Sequence, residues 1–207
     1  MTGGVNSRPA YPFDVTDEID VTDCTRCEEL CGSRGRIVNG VGPTDAALCF
    51  VGEAPGRQED ETGEPFVGRS GDVLDEVLRD QGFARRDVRI TNCARCRPPE
   101  NRDPTAAELE NCRPHLEREI AAVDPDVVVA LGKVPSEHLL GRSVSVTAEA
   151  GSVHDARIAD APRRVLVCVH PAATLYDPSQ RETFESALEA AVDLVEGGGD
   201  QSRLGEF

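Results

Sequence analysis

The stretch Gly52-Glu53-Ala54-Pro55-Gly56-Arg57-Gln58-Glu59-Asp60-Glu61-Thr62-Gly63-Glu64-Pro65-Phe66-Val67-Gly68-Arg69-Ser70-Gly71 decides the fold. Before it, residues 46–51 form a short apolar run rich in strand formers. After it, Val73, Leu74, Val77 and Leu78 recur at helical spacing. The spacing predicts a long polar loop between a buried strand and an amphipathic helix. In open α/β sheets, ligands bind at such strand ends. Five glycines, two prolines and five acidic residues shape this loop. It lacks both the Gly-Lys-Ser/Thr ending and the G-x-G-x-x-G pattern of a phosphate cradle, and its carboxylates would repel a phosphate. Loops of this length without secondary structure are uncommon unless they have a function.

Working outward, further strands are predicted over Val88–Thr91, Val127–Leu131 and Val165–Val169, with helices over 72–82, 105–123 and 180–196. A shorter helix is expected to end at Gly141, and another to start after Asp23 as N-cap. Thr105 and Glu108 form a capping box, and Pro114 predicts a kink or break. Residues 142–162 read as irregular, with room for a small hairpin. The strands are apolar without alternation and are separated by helices. That pattern predicts a three-layer α/β/α domain around a parallel sheet of four strands. Right-handed crossovers bring the polar clusters starting at Glu53, Asn92 and His170 to one sheet edge. Residues 1–22 read as a loose arm, 23–196 as the folded domain and 197–207 as a tail.

The chain has 207 residues, enough to bury its own core, and a formal charge of −16 with Lys133 as the only lysine. Such acidity ordinarily argues against nucleic acid as a partner. Acidic, lysine-poor chains also resemble those of salt-loving archaea, where concentrated salt weakens phosphate contacts anyway. Charge alone therefore does not decide the partner. No apolar run is long enough to span a bilayer, and no signal peptide is visible. The eight cysteines are too sparse for a disulfide scaffold, so the chain reads as a cytoplasmic, membrane-free protein.

Cys24-x-x-Cys27, Cys96 and Cys112 offer four thiolates, which suit either zinc or an iron–sulfur cluster. Cys49 and Cys168 fall inside apolar strands and read as core, while Cys31 and Cys93 remain unassigned.

Gly52-Glu53-Ala54-Pro55-Gly56, Phe66-Val67-Gly68, Thr91-Asn92, Cys96-Arg97-Pro98-Pro99, Asn101-Arg102 and His170-Pro171 occur in this order. As a set they resemble the family 4 uracil-DNA glycosylases, over about residues 24–195. The resemblance implies a [4Fe–4S] cluster on Cys24, Cys27, Cys96 and Cys112, and a monomer acting on single- or double-stranded DNA that contains uracil. It implies that Phe66 stacks on the flipped base, that Asn92 reads the base edge, and that Gly52, Ala54 and Glu59 surround them. His170 would donate to uracil O2 as charge develops there. Glu53 would orient the attacking water, with Asn101 or Glu59 sharing that task. Ala54 stands where family 1 enzymes carry an aspartate, so water activation must differ. Arg69, Arg95, Arg97 and Arg102 lie near the predicted cleft and are candidate backbone contacts. Leu175-Tyr176 replaces the usual leucine–arginine wedge, with Leu175 as wedge and Tyr176 stacking beside it. Combined with the acidity, the resemblance points to a haloarchaeal source. A noncatalytic DNA- or partner-binding module of the same fold is the alternative.

Gln201, Leu204 and Phe207 are spaced three apart after Gly197-Gly198-Gly199. This spacing resembles the motif by which repair proteins dock on the sliding clamp. In a 3₁₀ turn the three side chains would project from one side, and the tether would raise local concentration at replicated DNA. The expected outcome is micromolar binding of the organism's own clamp by the full chain and none by a chain ending at Gly199. Equal affinity in calorimetric titration would refute the motif.

Overall fold

The computed structural model describes residues 19–198; Gln201, Leu204 and Phe207 lie outside them. The described chain builds α1 (Glu28–Ser33), β1 (Leu48–Gly52), α2 (Arg57–Thr62), α3 (Arg69–Asp80) and β2 (Arg89–Asn92). There follow α4 (Ala106–Val123), β3 (Val127–Leu131), α5 (Lys133–Leu140), α6 (Val146–Glu149), β4 (Val153–Ile158), β5 (Ala161–Cys168) and α7 (Ser179–Gly198). The sheet order is β2-β1-β3-β5-β4. β2, β1, β3 and β5 run parallel, as expected for the four apolar strands.

The sheet has a fifth strand, antiparallel to β5, which corrects the expected count of four. It occupies part of the segment read as irregular. Ile158 pairs with Ala161, and the two residues between them, Ala159 and Asp160, both have positive φ. This is the backbone of a two-residue primed turn. Ala-Asp is a poor signal for such a turn, and β4 is mostly exposed or half-buried, so its sequence lacks the apolar run of its neighbours.

Three further expectations change. The polar stretch after β1 is not an open loop, because Arg57–Thr62 is helical and Gly63 caps it at φ 90°. α4 runs without interruption through Pro114. The first helix begins after Cys27, not after Asp23. The capping box is present, with Thr105 accepting from the Glu108 N–H and Glu108 accepting from the Thr105 N–H. The core lies on both sheet faces. Phe50, Leu74, Leu78, Val129, Leu166 and Phe184 fill one side, and Val51, Leu116, Ile120, Val128 and Val165 the other. Cys49 and Cys168 are fully buried within it.

One buried polar knot fastens β2 to α4. The Glu119 carboxylate, fully buried, accepts from Arg89 (Nε, 2.7 Å), from Thr91 Oγ1 (2.7 Å) and from the Arg95 guanidinium. Arg89 also donates to the Gly42 carbonyl and Arg95 to Asn39 Oδ1. A Cβ on Gly40 would stand 2.0 Å from Glu119 Oε1, so only glycine lets that backbone pass. Removing one member of a buried ion network leaves uncompensated charge, at about 3–5 kcal/mol. Glu119→Ala is expected to lose stability on that scale in urea unfolding. A loss under about 1 kcal/mol, the range of a surface pair, would show that the knot does not hold the fold.

Candidate active site

The polar edge of the sheet is built by register. Gly52 ends β1 directly beside Asn92, which ends β2. Beyond that edge, a cavity of about 190 Å³ is lined by Ala54, Gly56, Glu59, Phe66, Ser70, Asn92 and His170. That is below the 300 Å³ or so at which drug-sized pockets begin, and suits a single small ring.

Phe66 forms one wall under backbone strain. Its φ is 56°, a conformation that costs a non-glycine residue about 1–3 kcal/mol. The surroundings hold it there. Arg85 Nη1 donates to the Phe66 carbonyl at 3.0 Å, and the same guanidinium engages Pro65 and Asp75. A Cβ on Gly71 would lie 1.7 Å from the Phe66 carbonyl oxygen, so glycine is required at that point. Glu59 Oε1 accepts from the N–H groups of Val67 (3.2 Å) and Gly68 (3.1 Å), closing the loop behind the ring. Glu59 is thus a brace as well as a lining residue. Its neighbour Asp60 is buried and accepts from the Gly35 and Arg36 N–H groups.

The Phe66 ring stacks on the His170 imidazole at 5.8 Å between centroids and 28° between planes. Burial pushes the His170 pKa down to about 4, so the ring is neutral at pH 7. Its Nδ1 accepts from the Ala172 N–H at 3.1 Å. The proton of the neutral ring therefore sits on Nε2, leaving a fixed hydrogen-bond donor. Asn92 is 3% exposed and lines the cavity. The space above Gly52 is what admits it: a Cβ there would fall 2.4 Å from Asn92 Oδ1 and 2.6 Å from the Phe66 ring.

Glu53 stands at the mouth of this edge, half-buried. Its pKa is pushed up to about 7, first by desolvation and then by the negative charge of Asp103. Asn101 is exposed, does not line the cavity and accepts from Arg97 Nε at 2.7 Å. Arg69 is exposed at the start of α3. Arg95 is buried against Glu119, which corrects the expectation that it contacts the DNA backbone. Arg102 is tied to Glu108 and Glu29, which raises its pKa further. Leu175 packs against the core, and it is Tyr176, 82% exposed, that projects from this segment. The wedge expected at Leu175 therefore has its exposed group one residue later.

Cys24, Cys27, Cys96 and Cys112 line a second cavity together with Arg34, Arg95 and His115. Among the described residues, no three potential ligands converge closely enough for a single metal ion. Burial raises the pKa values of Cys27, Cys96 and Cys112. Three of these sulfurs already receive hydrogen bonds: Cys96 from Arg34 Nη1 at 3.0 Å, Cys112 from the Arg95 N–H at 3.3 Å, and Cys27 from Asn111 Nδ2 at 3.5 Å. Both His115 nitrogens and Arg95 Nε are buried without partners among the described residues. Cys31 lies outside the cavity lining, its thiol donating to the Cys24 carbonyl.

Residues 39–193 match the family model described as the uracil DNA glycosylase superfamily. The chain belongs to this family. A type-4 uracil-DNA glycosylase of Archaeoglobus fulgidus is 40% identical, over 84% of this chain and 89% of that protein. One from Thermotoga maritima is 45% identical over 65% and 70%. One from Pyrobaculum aerophilum is 38% identical over 81% and 87%. Set against this membership, the site contains three residues that sequence reasoning missed as functional candidates. Ser70 lines the cavity, Arg85 holds Phe66, and the Asp103 charge acts on the Glu53 carboxyl. No local motif marks any of them, since each reaches the site only through the fold.

Proposed function

We propose that this protein is a uracil-DNA glycosylase of base excision repair, working as a cytoplasmic monomer on single- or double-stranded DNA. The single observation that carries this reading is the small cavity in which the Phe66 ring, the Asn92 amide and the His170 imidazole face one space. Among the described residues no helix is long and apolar enough to cross a membrane.

The target nucleotide leaves the stack, at a cost of a few kcal/mol. Uracil enters the cavity against the Phe66 face, where stacking returns about 1–3 kcal/mol. The Asn92 amide accepts from uracil N3–H and donates to O4. Cytosine presents the reverse pattern at those atoms. The C1′–N1 bond then breaks with its electron pair passing to N1. Negative charge spreads onto O2, where the His170 Nε2–H donates. A neutral donor suits this task, because it stabilises the developing anion without carrying a charge into a buried site. Glu53 holds the water that adds to C1′. Arg69 and Arg97 contact the phosphate backbone, and Tyr176 occupies the gap in the duplex by stacking. Asn101 positions Arg97, and Arg102 holds the loop instead of the DNA.

Four thiols around one largely enclosed cavity support an iron–sulfur cluster, with Arg95 and His115 nitrogens that have no partner among the described residues at its border. Cys24, Cys27, Cys96 and Cys112 would hold a [4Fe–4S] group, whose contribution is to cross-link the N-terminal segment, the loop after β2 and α4. Base hydrolysis involves no net electron transfer and draws on none of its redox chemistry.

His170→Ala is expected to lower uracil excision from single-stranded DNA by about a hundredfold or more, the scale of a lost transition-state donor. Near-normal turnover would remove the role given to His170. The purified protein is expected to be brown and to bleach with dithionite. A colourless protein carrying stoichiometric zinc would overturn the cluster.

A further inference from the structure

Asp60 is a buried carboxyl that the mechanism above leaves unused. It sits on α2 next to Glu59 and is 8% exposed. The Gly35 N–H reaches both of its oxygens at 2.8 Å, and the Arg36 N–H reaches Oδ1 at 3.1 Å. Backbone N–H groups on a carboxylate make strong hydrogen bonds, so this contact latches the segment at 35–36 to α2. The fit is close, since a Cβ on Gly35 would stand 2.9 Å from Asp60 Oδ2. The latched segment is itself anchored to the loop after β2. The Val38 N–H donates to the Arg95 carbonyl at 2.8 Å, Ser33 Oγ to the Arg97 carbonyl at 2.7 Å, and Arg34 Nη1 to Cys96 Sγ at 3.0 Å. That loop continues directly from Asn92. On the other side of α2, Glu59 Oε1 accepts from the Val67 and Gly68 N–H groups behind the Phe66 ring. A path of hydrogen bonds and short chain steps thus joins the stacking wall, through α2 and Asp60, to the strand end that carries the Asn92 amide.

We propose that Asp60 is a positioning residue for the base-binding wall: it fixes α2 so that Glu59 holds the Phe66 loop in place for stacking on the base that Asn92 reads. The inference rests on the glycosylase reading given above. A backbone at φ 56° persists only where its surroundings impose it. Arg85 holds the Phe66 carbonyl from one side. Glu59 on α2 supports the loop from the other, and α2 is held by Asp60. Releasing α2 lets the ring withdraw from the cavity. The stack on uracil forms before the glycosidic bond breaks and persists while it breaks. Its loss therefore weakens binding of the flipped base and leaves the bond-breaking step itself alone. The His170 donor is set separately, by the Ala172 N–H on Nδ1.

Single-turnover excision from a uracil-containing single strand, run with the intact full chain at increasing enzyme concentration, separates binding from bond breaking. Asp60→Ala is expected to raise the half-saturating concentration by about tenfold or more, the scale of a weakened base stack, with the rate at saturation within about threefold of wild type. Amide hydrogen exchange is expected to quicken at Val67 and Gly68, whose N–H groups are held by Glu59 and not by Asp60. Gly35→Ala, which crowds the acid without removing it, should move both readouts in the same direction. Asp60→Asn, which keeps one acceptor oxygen, should fall between. If Asp60→Ala fails to fold, those two variants decide the matter. Ile158→Val, a mild core truncation away from the cavity lining, lowers stability and should move neither readout. Unchanged exchange at Val67 and Gly68 in the folded variants would overturn the latch. Faster exchange there with an unchanged half-saturating concentration would make the latch structural only and overturn the positioning role. Absence of excision by the wild type would instead overturn the glycosylase reading on which that role rests.

Discussion

Everything at the working edge of this protein depends on one buried carboxylate. Glu119 projects from α4 into the buried interior and gathers Arg89, Thr91 and Arg95. An isolated charge in that position would be prohibitive, so the arginines are as obligatory as the acid. The consequence is geometric. Thr91 and Arg95 flank Asn92 in the chain, and Arg95 immediately precedes Cys96. A single knot thereby sets the height of the base-reading amide and the position of a cysteine in the second cavity. It also pins the backbone at Gly40 and Gly42, which lies against the edge strand β2. Specificity of this kind, in which one polar network admits only one arrangement of its neighbours, is what a purely apolar contact would not provide.

The same edge drives two titratable groups in opposite directions. Burial favours neutral forms, so it lowers the basicity of His170 and raises that of Glu53. At neutral pH this yields an uncharged donor on one side of the cavity and a carboxyl poised to gain or lose a proton on the other. Neither state needs a special partner for the histidine beyond the Ala172 N–H that selects its tautomer. The strain at Phe66 belongs to the same design. The ring is held in an unfavourable backbone conformation by Arg85, Gly71 and Glu59, and stacks on the imidazole before any base arrives.

Much of the architecture was legible because apolar runs without alternation have few alternatives to a covered parallel sheet. β3 was predicted to the residue, and the capping box of α4 from two side chains three positions apart. The hidden strand β4 shows where legibility ends. Its residues are half-exposed, its turn is Ala-Asp instead of a glycine-bearing pair, and it pairs only because β5 is already in place. Pro114 failed as a breaker for a related reason. The energy of packing α4 against the sheet, through Leu116, Ile120 and Val123, outweighs one lost helical hydrogen bond.

The sequence by itself determined which residues stand at strand ends, because alternation of apolar strands with helices and the right-handed crossover leave Glu53, Asn92 and His170 no other edge. It also determined family membership, through motifs whose order and spacing survive without any coordinates. Only the tertiary structure decided what those groups are next to. That Arg102 is paired with Glu108 and Glu29, and that Tyr176 and not Leu175 faces outward, are facts of the fold. Charge, polarity and pKa are set by neighbours within a few ångströms, and for Arg102 one of those, Glu29, lies far along the chain. Periodicity reports the direction of a side chain, while its chemistry is settled by what the fold brings within hydrogen-bonding reach.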